Sequence, residues 1–143
     1  MRDLELAKEI LKGKDLSLVI VKQGEPLYES SLSGISGLLR AIEKLRNGLY
    51  DSSVADKVLG RAAALLLIYS HVKEVYAATL SNEGLKVLSE HNVPVEHEGL
   101  VPKILDKEGK NICPFEQLSL TIDSIDEAYE QLKAFTENLR RKQ

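Results

Sequence analysis

Three charged side chains lie together at the start of the most apolar stretch of this sequence. The stretch runs from Val54 to Val72, and Asp56, Lys57 and Arg61 precede its unbroken apolar run. The pattern predicts one helix over residues 54–70, apolar all round its later turns. A helix amino terminus carries free backbone amides and a partial positive charge, which suits phosphate. Lys57 and Arg61 would add two cationic donors.

The same residues also allow a purely structural interpretation. Ser53 and Asp56 have the spacing of a capping box, and a carboxylate in a first helical turn suits the helix dipole. Gly60 either leaves room for a ligand or allows close packing of the helix on a sheet. Asp56 is therefore either a helix cap or one wall of a pocket, where it would bind a hydroxyl or a base nitrogen.

A second candidate anion site lies between residues 31 and 39. Gly34, Ser36 and Gly37 lead from a predicted strand into a helix, and small residues there can present several amides to an anion. The pattern matches neither a Walker loop nor the dinucleotide fingerprint. A tight strand-to-helix turn explains it equally well.

The chain has one cysteine, Cys113, which excludes an internal disulfide and a multi-cysteine metal cluster within one chain. Pro114 follows as the first residue of a predicted short helix, whose dipole would favour a thiolate. The alternative is a small, partly buried apolar side chain. No Cys–His motif supports catalysis, and we interpret His71, His91 and His97 as surface residues.

The bulk composition narrows the class of protein. A length of 143 residues fits one domain over residues 1–143, and a net charge of -3 argues against a nucleic-acid partner. The amino terminus lacks the apolar core of a signal peptide, and no apolar run is long enough to span a bilayer. We expect a cytoplasmic protein without a membrane partner. An uncovered apolar strip on the first or last helix would favour a homodimer.

Hydrophobic periodicity and turn residues predict alternating helices and strands. Helices are expected over 2–12, 34–48, 54–70, 81–92, 113–118 and 124–140. Strands are expected over 16–22, 27–33, 73–80 and 93–98, with 100–112 a strand or extended. This alternation predicts an α/β fold, a three-layer α/β/α sandwich with a mixed sheet and the apolar helix at its centre.

The order of elements resembles the cytidine-deaminase-like fold. In zinc deaminases the central helix begins with His or Cys followed by Ala-Glu, and a later helix begins with Pro-Cys-x-x-Cys. Val54-Ala55-Asp56 would stand at the first place and Leu80 to Gly84 at the second, so all three zinc ligands are absent. The resemblance therefore implies the fold without zinc-dependent deamination or a metal site.

Two motifs, "ADKVLGRAAALLL" and "CPFE", resemble the bacterial family known as domain of unknown function 1893, whose fold is deaminase-like and whose role is not established. The resemblance covers almost the whole chain, although Phe115 stands where Met is expected and Gly37 where Pro is common. It implies that the loop at Gly34 borders the same pocket as Asp56. The motif residues are Asp56, Lys57, Gly60, Arg61, Ala62, Ala63, Cys113, Pro114 and Glu116.

Three functions remain open. The first is zinc-free binding of a nucleotide or other phosphate-bearing small molecule at the head of the central helix. The second is an enzyme with Asp56 as base or nucleophile and Cys113 as helper. The third is a non-catalytic, dimeric interaction or regulatory protein. The expected ligand contacts are Lys57, Arg61, Gly34, Ser36, Gly37, Ser53 and Glu116, with Asp56 and Cys113 as the candidate catalytic residues.

Overall fold

A computed structural model describes residues 1–141 and shows a five-stranded mixed sheet with helices on both faces. The strand order is β2-β1-β3-β4-β5; β1 is antiparallel to both neighbours, and β3, β4 and β5 are parallel. The predicted three-layer α/β/α fold is confirmed. The elements are α1 (Asp3–Gly13), β1 (Leu18–Lys22), β2 (Glu25–Ser30), α2 (Ser36–Leu45), a 3-10 turn (Arg46–Leu49), β3 (Ser53–Leu59), α3 (Arg61–Tyr69), β4 (Glu74–Ser81), α4 (Asn82–Glu90), β5 (Val95–Val101), α5 (Pro114–Ser119) and α6 (Ile125–Arg141).

The two faces of the sheet bury separate cores. On one face α1 packs against β1, β3 and β4, since its apolar positions recur at helical spacing. That smaller core consists of Leu4, Ala7, Leu11, Val19, Val21, Ala55 and Tyr76. The opposite face carries the larger core, to which α2, α3, α4 and α6 contribute buried side chains.

Helix α3 is the centre of the larger core, as its composition predicts. All of its residues from Ala62 to Leu67 are buried, because α4 and α6 pack beside a helix that already lies on the sheet. A helix that is apolar on every face requires this placement.

The predicted start of the central helix is wrong. Residues Ser53–Leu59 form β3, and the helix begins only at Arg61. The physical reason is a period of two: Val54 faces the larger core and Ala55 the smaller one. Asp56 hides this alternation in the sequence, because it is a charged residue type at a buried strand position.

The start of α3 is set by Gly60, which precedes the helix in an extended conformation rather than lying inside it. Ser53 and Asp56 consequently form no capping box. The Ser53 hydroxyl instead donates to Glu74 Oε2 at 2.6 Å. The expectation that Ser53 contacts a ligand at a helix head is thereby corrected, since this residue begins β3.

The other predicted elements are present with shifted ends. The second strand of the hairpin begins at Glu25 rather than residue 27, and α2 ends at Leu45. Of the stretch predicted as extended over 100–112, the first two residues complete β5, and Leu105 and Ile112 form an isolated antiparallel bridge.

Within residues 1–141, none of the helices combines the length and apolar character that crossing a bilayer requires.

Gly84 in the first turn of α4 gives a test of the packing at the carboxyl ends of β3 and β4. A Cβ there would lie 3.1 Å from the carbonyl oxygens of Leu59 and Gly60, so two backbone segments would have to move. We expect Gly84→Ala to destabilise the fold by about 1–2 kcal/mol in urea unfolding, because overpacking outweighs the better helix propensity of alanine. Gly13→Ala, where a Cβ meets nothing within 4 Å, should be neutral or stabilising. A stabilised Gly84→Ala variant would show that this contact is not tight.

Candidate functional site

Asp56 is a buried carboxylic acid in the middle of the sheet. Its register partners are Leu18 on β1 and Ala77 on β4, both in the larger core, and only 8% of Asp56 is exposed. Burial raises the pKa of this carboxyl from 3.8 to about 7, although the backbone amides of Val58 and Lys57 partly offset the effect. Asp56 thus exchanges its proton near neutral pH.

Lys57 lies on the opposite face from Asp56, because neighbouring residues of a strand point to opposite sides. Its ammonium group is 3.6 Å from Asp15 Oδ1, and its amide donates to the Ser17 carbonyl at 2.9 Å. The expectation that Lys57 and Asp56 would face one ligand at a helix head is therefore wrong.

The amino terminus of α3 is occupied by a carboxylate of the chain itself. The amide of Arg61 donates to Glu116 Oε1 at 2.7 Å, and that of Ala62 donates to Oε2 at 2.8 Å. A Cβ on Gly60 would overlap this carboxylate, so a larger residue there would displace Glu116 from the two amides. Burial raises the pKa of Glu116; the two amides and Arg61 oppose this effect, while nearby Glu83 adds to it. The amides predicted to bind phosphate are already hydrogen bonded.

The Arg61 side chain holds α5 over this helix head. Its Nε donates to the Ser119 carbonyl at 3.0 Å and its Nη2 to the Ile122 carbonyl at 3.1 Å. Carbonyls at the end of a short helix suit a cation. Arg61 is therefore engaged within the protein and does not present its guanidinium to a phosphate at this point, contrary to the expectation.

The residues at the two helix starts do not fit a zinc ion. The central helix begins Arg61-Ala62-Ala63, so the register that put Asp56 at the place of the catalytic Glu is wrong. The second helix begins after Ser81, whose hydroxyl accepts from the Gly84 amide at 3.0 Å. Among residues 1–141, no three His, Cys, Asp or Glu side chains come together in a way that could hold a metal.

The start of α2 differs from that of α3. Ile35 occupies the position before the helix and gives no side-chain cap, and the first turn carries no acidic residue. Gly34 before it has a φ of +68°, a conformation that glycine adopts freely. A Cβ on Gly37 would lie 2.7 Å from Ser30 Oγ, so this glycine lets α2 approach the sheet closely. The first amides of α2 therefore lack a side-chain acceptor.

Comparison with protein families decides the classification of this chain. The model of the family described as a domain of unknown function (DUF1893) matches residues 6–136. The chain belongs to the DUF1893 family. A solved DUF1893 protein from Thermotoga maritima is 32% identical, with a TM-score of 0.85, and the match covers 92% of this chain and 88% of that one. No match was found among curated proteins.

Two further solved structures are similar to this DUF1893 protein at low sequence identity. RibD of Acinetobacter baumannii is 16% identical with a TM-score of 0.51, and the match covers 89% of this chain but only 39% of RibD. A dCMP deaminase from the cyanophage S-TIM5 is 17% identical with a TM-score of 0.49, over 67% of this chain and 94% of that one. At these identities RibD supports the cytidine-deaminase-like fold alone.

Cys113 lies immediately before α5, as predicted, with Pro114 as the first helical residue. It is half-buried, its amide donates to the Ile104 carbonyl at 3.0 Å, and its carbonyl accepts from the Gln117 amide at 3.0 Å. Cys113 thus joins α5 to the preceding loop. Its neighbour Glu116 is a site residue whose role is reversed: it fills the helix head instead of closing a pocket around a phosphate.

A large cavity of the DUF1893 protein was missed by the sequence analysis. It measures about 1030 Å³ and lies at the opposite end of the sheet from Gly60, where α3 and α4 end. His71 and His91, interpreted as surface residues, both line it. Its other lining residues come from distant segments: the ends of α2, α3 and α4, the turns that follow them, and the start of α6.

The pKa of Asp56 makes the stability of this protein depend on pH. The unfolded chain releases this proton near pH 3.8 and the folded chain near 7, so the stability that neutral Asp56 confers is complete below about pH 4 and is lost as pH rises to about 7. Against Asp56→Asn, whose side chain stays neutral, the wild type should lose up to about 4 kcal/mol between pH 4 and 8.

Urea unfolding of both proteins at pH 4, 6 and 8 measures this difference. Asp123→Asn, at an exposed position outside the helices and strands, is the control and should follow the wild type at all three pH values. Parallel stability curves for wild type and Asp56→Asn would contradict the assignment.

Proposed function

We propose that this DUF1893 protein binds a nucleotide or another phosphate-bearing small molecule without zinc, at the uncapped amino terminus of α2. The observation that carries the proposal is the contrast between two helix heads. Glu116 occupies the amides of α3, whereas the ten-residue α2 begins without a side-chain cap or an acidic first turn. Free amides and a positive helix end are the elements of a phosphate site.

Asp56 supplies a second, independent feature for the same ligand. Ser30, Leu18 and Asp56 lie in one row across β2, β1 and β3, and Gly37 rests on the first two of them. Two strand spacings, about 10 Å, separate the Cα atoms of Ser30 and Asp56. A phosphate at the start of α2 would thus place the sugar or base toward a buried acid that exchanges a proton near neutral pH.

The residues at the place where deaminases of this fold bind zinc support ligand binding rather than deamination. Ala63 has no proton to shuttle, and Glu116 fills the helix head that a metal would approach. Gly34 and Ser36 remain in the proposed site, while Lys57, Arg61 and Ser53 have other partners. We therefore expect the purified protein to bind nucleoside monophosphates without added zinc.

A second candidate function is an enzyme in which Asp56 acts as the base. Its burial and its pKa of about 7 favour this alternative, because a general base works best near the operating pH. Cys113 stays a candidate second catalytic residue, and the only ground for it is its position immediately before α5. Turnover of a nucleoside monophosphate that is lost in Asp56→Asn while binding persists would support the enzyme over the binding protein.

The predicted homodimer also stays a proposal. Several large apolar side chains are exposed on a single copy of the chain, and a second copy could cover them. They include Val58, Leu100, Leu105 and Leu120. Sedimentation equilibrium at micromolar concentration gives the oligomeric state directly.

Substitutions at Ser36 test the phosphate site. Ser36→Asp puts a carboxylate into the first turn of α2, which suits the helix dipole but repels phosphate. We expect titration calorimetry with cytidine 5′-monophosphate to show at least about tenfold weaker binding, while urea unfolding shows unchanged or higher stability. Ser36→Asn, similar in size and uncharged, is the control and should keep the affinity.

Asp56→Asn tests the contact to the nucleoside separately from the contact to the phosphate. It should weaken cytidine 5′-monophosphate binding and leave inorganic phosphate binding unchanged, because only the nucleoside reaches Asp56. Equal affinity of Ser36→Asp and Ser36→Asn for both probes would contradict a phosphate site at α2.

A further inference from the structure

The large cavity at the amino-terminal edge of the parallel strands is independent of the site proposed above. It lies where Asp51, Val72 and Val93 lead toward β3, β4 and β5. Helix α2 runs from its uncapped start to Arg46, which lines the cavity, so the two places are about 15 Å apart along ten helical residues. Its volume of about 1030 Å³ is at the upper end of ordinary small-molecule sites.

Two aromatic pairs form much of the wall. Tyr50 and His71 have ring centroids 4.6 Å apart, and Tyr69 and Tyr129 are stacked at 5.4 Å. Tyr50 is 43% exposed, so a ligand in the cavity can reach this side chain. Planar rings bind such surfaces by offset or edge-to-face stacking.

The conformation of His71 adds to this argument. It follows α3 with a φ of +56°, a position at which helices usually carry glycine or asparagine. The Val72 amide donates to the Leu67 carbonyl, as in a Schellman ending, so the backbone requires only the left-handed conformation. The imidazole is not needed for that ending, and its contact is the ring of Tyr50.

The charged residues of the wall are not paired with one another. No ion pair within residues 1–141 involves Arg46, Lys73, Asp51 or Asp126. The two acids have structural explanations: Asp126 lies in the first turn of α6, and Asp51 adopts a left-handed conformation that aspartate tolerates. Arg46 and Lys73 have no such explanation, and Arg46 adopts a φ of +45°, which is unfavourable for any residue with a Cβ atom.

We propose that this cavity binds a planar aromatic compound that carries an anionic group. The ring stacks on Tyr50 beside His71, and Arg46 and Lys73 bind the anion. The ligand needs both groups, because the aromatic pairs bind a planar ring and the two cations bind an anion.

Two dyes test both halves of this assignment. 8-Anilinonaphthalene-1-sulfonate has a planar ring system and an anionic group, and N-phenyl-1-naphthylamine is its uncharged counterpart. Fluorescence titration of the wild-type protein should show roughly tenfold tighter binding of the sulfonate. Amide NMR shifts on adding the sulfonate should concentrate at residues 46–51 and 69–73.

Lys73→Gln should remove most of the preference for the sulfonate, and Tyr50→Ala should weaken both dyes. Lys107→Gln, an exposed lysine outside the cavity, is the matched control and should leave both affinities unchanged. Equal binding of the two dyes, an unchanged preference in Lys73→Gln, or shifts confined to other parts of the chain would each overturn the proposal. A loss of cytidine 5′-monophosphate binding in Ser36→Asp bears only on the site at α2, so the two proposals fail separately.

Discussion

The contact between the Glu116 carboxylate and the first amides of α3 is the constraint on which the rest of the structure depends. It joins α5, late in the chain, to α3 at the centre of the larger core through two hydrogen bonds of 2.7 and 2.8 Å. Hydrogen bonds to a charged group contribute about 1.5–3 kcal/mol each, whereas two buried amides without an acceptor would be destabilising. Gly60 permits the contact because any larger residue would overlap the carboxylate.

The same contact explains how a deaminase-like fold exists here without the deaminase donor set. A buried helix head must find an acceptor for its amides. Glu116 is that acceptor, and Arg61 holds the helix that carries it through the carbonyls of Ser119 and Ile122. The close approach of Gly84 to the end of β3 occupies the remaining space between the two helix starts. Protein groups therefore occupy the amides at both helix starts.

Much of the architecture was predictable, and the part that was not has a specific cause. The fold was predictable from the alternation of strands and helices, from the apolar character of α3 and from the family resemblance. Asp56 misled the assignment of residues 53–59, because a buried charge disguises strand alternation as the polar face of a helix. The glycine at position 60 is the residue that distinguishes the two possibilities, since a glycine before an apolar run suits a helix start better than a helix interior.

The structure does not bring the residues of the predicted site to one place: Lys57 faces away from Asp56, and Ser53 begins β3. Glu116 is correctly placed beside Arg61, yet its role follows only from the two hydrogen bonds. The burial of Asp56 could not be predicted, because it depends on register partners from two other strands. The cavity near Tyr50 had no sequence motif at all, because its walls come together from the ends of α2, α3 and α4 and the start of α6.

The most direct test of the central claim is a crystal structure of the protein grown with zinc and cytidine 5′-monophosphate, with anomalous data at the zinc edge. We expect Glu116 to stay on the amides of Arg61 and Ala62, no anomalous peak to appear beside them, and the phosphate to lie at the start of α2. A zinc ion or a phosphate bound to those two amides, with Glu116 displaced, would contradict it.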